Sequence, residues 1–363
     1  MKFWVITERY AYSGVPLAQL RLARALAKRG NEVDFFIGTV NSGYKLPCER
    51  LLKVINFEKE RVIEMIMPLI YRFRSERPDV VLVAGDHLSA VTLLAALISG
   101  SNAKISCSSR VTPFDTYSNI PFTKRWILKY IMRIVMNRAN ALTCVSEDMV
   151  LQYGRIFKSA HYVPLYNVVF DQYSESLMNE DVNEEWFLDK STPILIAAGA
   201  LEVWKGFSDL LLAMRELVKI RKIRLIILGD GPQRQILQVF INNFNLDHAV
   251  KLLGYVDNPL KYFKRADIFV LSSYVDGLPN VLVEAMMCGC TPVATDCPTG
   301  PREVLQDGKY GYLVPVGNPI ALMNGIEMAI NYPISKEQLN EAINPFTETE
   351  VIKKHLNLLG ISS

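Results

Sequence analysis

Short apolar runs alternate with amphipathic stretches along most of this chain, and the alternation narrows the folds open to it. The apolar runs have the length of buried strands, and the amphipathic stretches have the 3.6-residue period of helices. Strands that alternate with helices are typical of parallel sheets covered by helices on both faces. The pattern therefore predicts an α/β fold.

The alternation occurs twice. In the first half we predict strands at Phe3–Thr7, Glu32–Ile37, Val80–Ala84, Lys104–Ser108 and Ala141–Val145, and helices at Leu17–Arg29, Lys59–Glu76, Ser89–Ser99 and Thr123–Asn137. In the second half we predict strands at Ile194–Gly199, Arg224–Gly229, Val250–Leu253, Ile268–Ser272 and Thr291–Ala294, and helices at Phe207–Ile220, Gln233–Asn243, Asn258–Arg265 and Pro279–Cys288. Residues 171–192 are acidic and weakly periodic, which favours a linker or edge segment. Two such halves predict two Rossmann-like domains with a cleft between them, and ligands of such sheets bind beyond the carboxyl ends of the strands.

Charge is unevenly distributed along the 363 residues. Residues 1–168 hold 23 Lys and Arg against 13 Asp and Glu, a net charge of +10, and the rest hold 17 against 24, a net charge of −7. The basic half predicts contact with an anionic surface or ligand, unless the two halves simply complement each other.

Hydropathy and cysteine usage give an expectation of location. Met1–Val5 leads straight into a predicted strand, so no signal peptide is predicted, and the longest apolar run, Ala90–Ile98, is shorter than the roughly 18 residues of a membrane span. We therefore expect a cytoplasmic protein. Scattered cysteines without a histidine cluster predict buried free thiols rather than a metal site; they are Cys48, Cys107, Cys144, Cys288, Cys290 and Cys297.

Two segments that follow predicted strands of the second half hold candidate ligand-binding residues. In Gly199–Gly206 (GALEVWKG), Lys205 stands just before a predicted helix, where backbone N–H groups and an ammonium together suit a phosphate. A solvated surface lysine is the alternative. In Leu228–Pro232 (LGDGP), the glycines allow close approach of the backbone to a ligand, or merely any tight turn. Neither segment is a dinucleotide fingerprint or a P-loop.

A third segment, Asp276–Gly289 (DGLPNVLVEAMMCG), carries two acids eight residues apart. Asp276 lies in the loop before a predicted helix, and Glu284 lies within that helix among apolar neighbours. A buried carboxylate needs a partner. Ligand hydroxyls would supply one, and so would an arginine of the chain such as Arg302, so the segment leaves both open.

Taken in order, the motifs resemble the donor domain of retaining glycosyltransferase family 4. They are GALEVWKG, LGDGP, LLGYVDN (Leu252–Asn258), DGLPNVLVEAMMCG and PVATDCPTGPREVL (Pro292–Leu305), within a dense match from Gly199 to Pro315 and looser ones at Ser13–Gly30 and Leu142–Ser146. The resemblance implies the GT-B fold, with two parallel sheets facing across a cleft. It implies an acceptor-binding domain at residues 1–168, a nucleotide-sugar-binding domain at residues 169–346, and a final helix, 347–363, that packs back on the first domain.

The resemblance also implies roles for individual residues. Lys205 would contact the donor diphosphate and stabilise the leaving nucleotide. Glu284 matches the second acid of the family's E-x7-E motif and would accept the ribose hydroxyls, whereas Asp276 matches the first acid, near the donor sugar. The other implied donor-binding residues are Gly14 in the first loop, Glu202, Gly229, Gly231, Tyr255 beside the base, and Gly277, Leu278, Pro279 and Asn280 through their backbone.

The chain departs from the family pattern in three places. Ala200 replaces the usual arginine two residues before Glu202, and Asp276 replaces a glutamate. The first half has no clear counterpart of the histidine that many members place near the reaction centre. We predict that Arg110, at a strand end, supplies the missing positive charge as a catalytic residue. His87, at another strand end, is the nearest histidine, unless it is a capping or core residue.

The expected mechanism uses no metal and no cofactor beyond the nucleotide sugar as co-substrate, because the chain has no D-x-D motif. Lys205, Arg110 and helix N-termini would then balance the leaving-group charge. The resemblance implies retention of anomeric configuration, by front-side attack in which the departing phosphate helps to deprotonate the acceptor.

Residues 123–138 (TKRWILKYIMRIVMNR) form a predicted basic amphipathic helix. A core helix whose lysine and arginine stems lie at its edges would give the same pattern. Together with the basic first half, the helix favours docking on the anionic inner face of the cell membrane, at about 1 kcal/mol per basic residue. We therefore expect a UDP-linked hexose or N-acetylhexosamine donor and a glycan or polyprenyl-pyrophosphate acceptor, since TDCPTGPREVL resembles transferases of bacterial surface-polysaccharide synthesis.

Two other functions compete with transfer. A sugar-nucleotide epimerase of the same architecture would need acid and base residues from the first domain, and no convincing set is found. A non-catalytic nucleotide-sugar-binding protein would fit Ala200 and Asp276. A nicotinamide dehydrogenase is disfavoured because the first turn, Arg9–Gly14, lacks the fingerprint, and no nucleic-acid-binding module is found.

Overall fold

Two units make up the protein in the computed structural model, which describes residues 1–11, 14–41, 43, 45–47 and 49–361. One unit contains residues 1–169 together with the segment from Phe346 on, and the other contains residues 170–345. Ser13, Cys48 and the last two positions of the predicted final helix lie outside the described residues. The five described cysteines are buried free thiols, as expected.

The N-terminal unit is built on a sheet whose described strands all pair in parallel, in the order β3-β2-β1-β4-β5-β6-β7. Its strands are β1 (Lys2–Tyr10), β2 (Glu32–Val40), β3 (Lys53–Asn56), β4 (Val80–Ala84), β5 (Lys104–Ser109), β6 (Ala141–Cys144) and β7 (Tyr162–Pro164). Its helices are α1 (Gly14–Lys28), α2 (Ile66–Glu76), α3 (Asp86–Ser99), α4 (Pro113–Thr116), α5 (Lys124–Val135), α6 (Glu147–Ile156) and, at the end of the chain, α15 (Glu348–Leu358). Val351 and Ile352 of α15 join Leu26 of α1 in one apolar core, which secures the final helix to this unit.

The C-terminal unit repeats the plan with the parallel order β10-β9-β8-β11-β12-β13. Its strands are β8 (Ile194–Ala198), β9 (Arg224–Leu228), β10 (Val250–Gly254), β11 (Ile268–Leu271), β12 (Thr291–Thr295) and β13 (Tyr312–Val314). Its helices are α7 (Gln172–Met178), α8 (Phe207–Ile220), α9 (Arg234–Asn243), α10 (Leu260–Phe263), α11 (Asn280–Met287), α12 (Pro301–Val304), α13 (Pro319–Asn331) and α14 (Lys336–Ile343). The α/β class and the two parallel sheets predicted from the alternation are confirmed.

Strand order places the ligand-binding edge of each sheet. In the C-terminal unit β8 lies between β9 and β11, so the connections leave β8 in opposite directions. In the N-terminal unit the same reversal occurs between β1 and β4. Such reversals separate the loops at the carboxyl ends of the two strands and open a crevice there.

Several elements differ from the sequence prediction for physical reasons. The strands that were not predicted, β3, β7 and β13, are short and lie at sheet edges, where few residues are left to show a pattern. The helix predicted at Lys59–Glu76 is regular only from Ile66, because Pro68 lacks an N–H and suits the first turn. The predicted linker, residues 171–192, contains α7, and Gly14 is the first residue of α1 rather than a loop residue. No described helix has the length and apolar character that crossing a bilayer requires.

Candidate active site

The loops after β8 and β9 pack directly on each other through glycine. A Cβ on Gly229 would lie 1.9 Å from the carbonyl oxygen of Gly199, and one on Gly231 would lie 2.6 Å from that of Leu201. The N–H of Leu201 donates to the carbonyl of Asp230 at 2.9 Å. The close approach predicted for Gly229 and Gly231 therefore occurs between two loops of the protein, and it gives the carboxyl edge of the sheet a fixed backbone.

Lys205 and Asp276, the first two predicted catalytic residues, pair with each other at this edge. Their Nζ and Oδ2 atoms are 2.5 Å apart, although 71 positions separate them in the chain. The lysine stem packs on Gly199, whose Cβ position lies 3.7 Å from the Lys205 Cδ. The two side chains are only 18% and 16% exposed, so the ammonium is a largely desolvated cation in a set position.

The backbone around Lys205 is tied to the loop after β11. Gly206, at a φ of 64°, lies where a Cβ would be 2.0 Å from the carbonyl oxygen of Ser272. The Ser272 hydroxyl donates to the carbonyl of Lys205 at 2.8 Å, and the N–H of Tyr274 donates to the carbonyl of Trp204 at the same distance. Two central loops thus form one rigid block beneath the pair.

Asp276 has further donors. Its Oδ1 accepts the N–H of Gly277 at 3.0 Å, and its Oδ2 accepts the Ser273 hydroxyl at 3.3 Å. The Thr299 hydroxyl, from the loop after β12, donates to the Asp276 carbonyl. Sequence reasoning assigned no role to Ser273 or Thr299; the only signal for Thr299 was its place in the PVATDCPTGPREVL motif.

The start of α11 offers backbone donors. Among the predicted backbone contacts, the N–H of Gly277 is taken by Asp276 and that of Asn280 by the carbonyl of Leu278. Within the described part of the chain, the N–H groups of Leu278 and Val281 have no hydrogen-bond acceptor. Such N–H groups before a helix attract anions. Leu278 and Val281 therefore have N–H groups available for an anion, and the backbone contacts predicted for Gly277, Pro279 and Asn280 stay predictions.

Glu284 lies on α11 with 8% of its surface exposed, between the buried side chains of Val283 and Ala285. Both Glu284 and Asn280 take part in interactions within the protein. Arg302, the alternative partner considered for Glu284, is bound instead by Asp296 and Asp307, with Nε–Oδ1 and Nη1–Oδ1 distances of 3.0 Å.

The remaining predicted donor residues lie in the loops that follow β8, β10 and β11. Tyr255 follows β10 and is about half exposed, and Glu202 is half-buried in the turn before Lys205. Pro279 immediately precedes α11. Cys297, which was given no role, lies buried after β12, where burial and the nearby Asp276 carboxylate raise the pKa of its thiol to about 11. A neutral thiol adds no charge to the pair.

At the carboxyl edge of the N-terminal sheet, Arg110 follows β5 directly. Its Nε and Nη1 atoms are buried and have no hydrogen-bond partner among the described residues, and burial lowers the pKa of the guanidinium to about 10. His355 of α15 lies nearby, and burial, with the Arg110 charge as the smaller cause, lowers the imidazole pKa to about 3. An unsatisfied buried guanidinium is a candidate anion ligand.

Asp86, the first residue of α3, belongs to the same edge and was not singled out from the sequence. Its carboxylate accepts the Ser109 hydroxyl at 2.9 Å and the Tyr153 hydroxyl at 2.7 Å, and burial raises its pKa. His87, beside it, is exposed, and Gly14 begins α1 at a φ of 62° with open space at its Cβ position.

Comparison with known proteins identifies the family to which this fold and sequence belong. Residues 12–167 match the model for glycosyltransferase family 4, and residues 178–344 match the model for glycosyl transferases group 1. The described fold also superimposes on Anabaena HepE in complex with UDP, with a TM-score of 0.76, 16% identity and coverage of 99% of this chain and 100% of that one. The fold and the two matches define a GT-B protein, and the chain belongs to glycosyltransferase family 4.

Two relatives from Campylobacter jejuni are more specific. N-acetylgalactosamine-N,N'-diacetylbacillosaminyl-diphospho-undecaprenol 4-alpha-N-acetylgalactosaminyltransferase is 27% identical over 64% of this chain and 62% of its own length. GalNAc-alpha-(1->4)-GalNAc-alpha-(1->3)-diNAcBac-PP-undecaprenol alpha-1,4-N-acetyl-D-galactosaminyltransferase is 23% identical over 94% of this chain and 92% of its own length. The chain therefore spans less than two thirds of the first relative and most of the second.

Proposed function

We propose that this protein is a retaining glycosyltransferase that moves a hexose or N-acetylhexosamine from a UDP-linked donor to a glycan or polyprenyl-pyrophosphate acceptor in surface-polysaccharide synthesis. The observation that carries the proposal is the Lys205–Asp276 pair, held at 2.5 Å at the carboxyl edge of the C-terminal sheet, near the free N–H groups of Leu278 and Val281 at the start of α11. The printed names of the two Campylobacter relatives, which include diphospho-undecaprenol or PP-undecaprenol, support the acceptor class. The UDP complex of HepE supports the donor class.

In the proposed reaction, the chain supplies fixed positive charge where the leaving diphosphate gains negative charge. The Lys205 ammonium and the N–H groups of Leu278 and Val281 would bind the phosphates, and Glu284 would accept the ribose hydroxyls. The acceptor hydroxyl oxygen bonds to the anomeric carbon as the bond from that carbon to the diphosphate breaks. The hydroxyl proton passes to the departing phosphate oxygen, so no protein base and no metal ion is required. Arg110 as a further cation for the diphosphate stays a prediction.

Helix α5 and the loop before it support contact of this enzyme with the inner face of the cell membrane. The helix buries Leu128, Met132 and Val135, and a second apolar row is exposed: Ile127, Ile131 and Ile134. Phe122 is 86% exposed, and the ring of Trp126 lies 5.6 Å from its ring and 4.3 Å from that of Tyr130. An exposed apolar and aromatic row flanked by basic residues is suited to the surface of an anionic bilayer. The helix thus combines core packing with a membrane face.

The test is a screen of nucleotide sugars with purified protein and membrane lipid extract, in which free UDP and GDP are measured. We expect nucleotide release with one donor, dependent on the lipid, on Lys205 and on Glu284. Lys205→Ala and Glu284→Ala are the test variants, and Lys190→Ala, an exposed lysine of the same unit, is the control.

Three other outcomes would contradict the proposal. Donor binding without nucleotide release from any donor would identify a non-catalytic binding protein. Conversion of one nucleotide sugar into its epimer without nucleotide release would identify an epimerase. Inversion of the anomeric configuration in the product would contradict retention.

A further inference from the structure

A cavity of about 450 Å³ lies in the N-terminal unit between α5 and the C-terminal end of α6. Four cationic side chains line it: Lys129 and Arg133 from α5, and Arg155 and Lys158 from α6 and the turn after it. None of the described residues that line the cavity is acidic. Its volume suits a small ligand or a lipid head group.

The charges in this cavity have no counter-charge within the described protein. No described carboxylate lies within ion-pair distance of any of the four cations. Lys129, only 8% exposed, donates from Nζ to the neutral Asn119 amide oxygen at 2.6 Å. Burial and the neighbouring Arg133 lower the pKa of Lys129. Lys129 is thus largely buried, and the other three cations line the same cavity from the exposed side; like charges gathered around one cavity favour an anion that would neutralise them.

Helix dipoles explain the positions of only some of these cations. Arg133 and Arg155 lie in the last turns of α5 and α6, where a cation is favoured by the helix C-terminus. Lys129 lies in the middle of α5, so the helix C-terminus does not explain its position, whereas Lys158 follows the end of α6 by two residues.

The cavity is separate from the candidate active site. In a parallel sheet the connecting helices run opposite to the strands, so their C-terminal ends lie towards the amino ends of the strands. Arg133, Arg155 and Lys158 therefore lie at the amino edge of the sheet. Arg110 and Asp86 lie at the opposite edge, because they follow the carboxyl ends of β5 and β4.

From these observations we infer that the cavity between α5 and α6 is an accessory binding site for a phosphate-ester anion. Arginine forks and lysine ammonium groups from two elements match the several oxygens and the negative charge of a phosphate group. The phosphate group can come from a membrane phospholipid or from a soluble phosphate compound. In the first case, the exposed Ile131 and Ile134 on the same helix would contact the lipid beside its head group.

The site can be tested by calorimetric titration of the full chain at low ionic strength with two probes, dihexanoyl-phosphatidylglycerol below its micelle concentration and inorganic pyrophosphate. The variants are Arg133→Gln and Lys158→Gln, which change exposed side chains on the α5 and α6 sides of the cavity and so leave no buried gap. Lys124→Gln is the matched control, because it removes an exposed charge from the same helix outside the cavity. Thermal unfolding of each variant verifies that it is folded.

We expect the two cavity variants to bind at least one probe about tenfold more weakly than the wild type, and Lys124→Gln to bind it normally. A loss confined to phosphatidylglycerol assigns the site to a lipid head group, and a loss confined to pyrophosphate assigns it to a soluble anion. An equal loss in all three variants, or no binding of either probe by the wild type, would overturn the inference. Because the titrations contain no nucleotide sugar and compare variants outside the donor site, their failure would leave the proposed transferase activity untouched, and a failed transferase assay would leave this site untouched.

Discussion

The carboxyl edges of the two sheets differ in whether a buried cation has a partner within the protein. In the C-terminal unit the Lys205 ammonium is neutralised by Asp276 at 2.5 Å, within loops that are locked by backbone contacts. In the N-terminal unit two nitrogens of Arg110 are buried with no acceptor among the described residues, and His355 beside it is kept neutral. The side-chain charge of one edge is therefore balanced before any ligand binds, whereas the other edge has a buried cation with unused capacity for an anion.

The difference extends to surfaces. The N-terminal unit exposes the apolar row on α5 and carries most of the basic residues, whereas the C-terminal residues are net acidic. A rigid, self-neutralised site suits a donor that is bound in one defined pose, and a basic, partly apolar unit suits a large anionic partner. The following predictions test this contrast, from the largest expected effect to the smallest.

The locked loops of the C-terminal unit give the largest expected effect. Gly206→Ala places a methyl group 2.0 Å from the Ser272 carbonyl, at a positive φ, and we expect it to lower the free energy of unfolding by about 3–5 kcal/mol. Gly30→Ala is the control in the N-terminal unit, because it has a positive φ but open space, and about 1 kcal/mol is expected there. Urea denaturation measures both. Equal losses would mean that the loop contact is not rigid.

The Lys205 cation should have the next largest effect. Lys205→Ala removes the ammonium and leaves the Asp276 carboxylate without its cation, so we expect nucleotide release to fall about 10²–10³-fold. Steady-state rates, compared with Lys190→Ala, measure the loss. A fall of less than threefold would show that the pair does not act on the leaving group. If Lys205→Ala also abolishes donor binding, the pair serves binding in the ground state as well.

The exposed row on α5 is expected to contribute a smaller amount to membrane contact. Ile134→Asp replaces an apolar side chain, 75% exposed, with a negatively charged one, which an anionic bilayer repels. We expect roughly tenfold weaker binding to vesicles of phosphatidylglycerol and phosphatidylcholine. Leu188→Asp, at a side chain 84% exposed in the C-terminal unit, should bind as the wild type does. Co-sedimentation measures both. Equal weakening by the two substitutions would remove the distinction between the surfaces.

The smallest effect concerns pH. The His355 pKa of about 3 in the folded protein lies below the ordinary value of about 6.5, so between these values the unfolded chain binds a proton that the folded chain does not. The stability that neutral His355 contributes is fully present above pH 6.5 and is lost as the pH falls towards 3. The raised pKa of Asp86 acts in the opposite sense, because it favours the folded state as that carboxyl is protonated.

We expect the difference in unfolding free energy between the wild type and His355→Gln to change by about 1.4 kcal/mol per pH unit near pH 5. Urea denaturation between pH 4.5 and 7.5 would measure it, and the experiment needs both proteins folded over that range. A difference independent of pH would mean that His355 is solvated or already charged in the folded protein.

The sequence predicted the central strands and most of the long helices well, but it missed the edge strands and also helices α6 and α13, of 10 and 13 residues. Strand Val80–Ala84 and helix Phe207–Ile220 were placed at their observed ends, since each has a clear apolar period and a glycine or proline beside it. The edge strands β3, β7 and β13 were not predicted, because three or four residues are too few to show a clear apolar pattern. For the site, the motif order identified the loops that hold Lys205, Asp276 and Glu284, but it did not distinguish a glycine that contacts a ligand from one that contacts another loop.

The sequence alone determined the alternation of strands and helices and the two parallel sheets, because periodicity and turn residues act over a few positions of the chain. The order of its motifs indicated the family. Tertiary structure decided which distant groups meet. Lys205 finds Asp276 across two adjacent strands, Arg110 finds His355 only because the last helix returns to the first unit, and two helix ends gather four cations around one cavity. Contacts of this kind depend on the strand order of each sheet and on the cost of removing water from each polar side chain. The local sequence pattern determines neither of them.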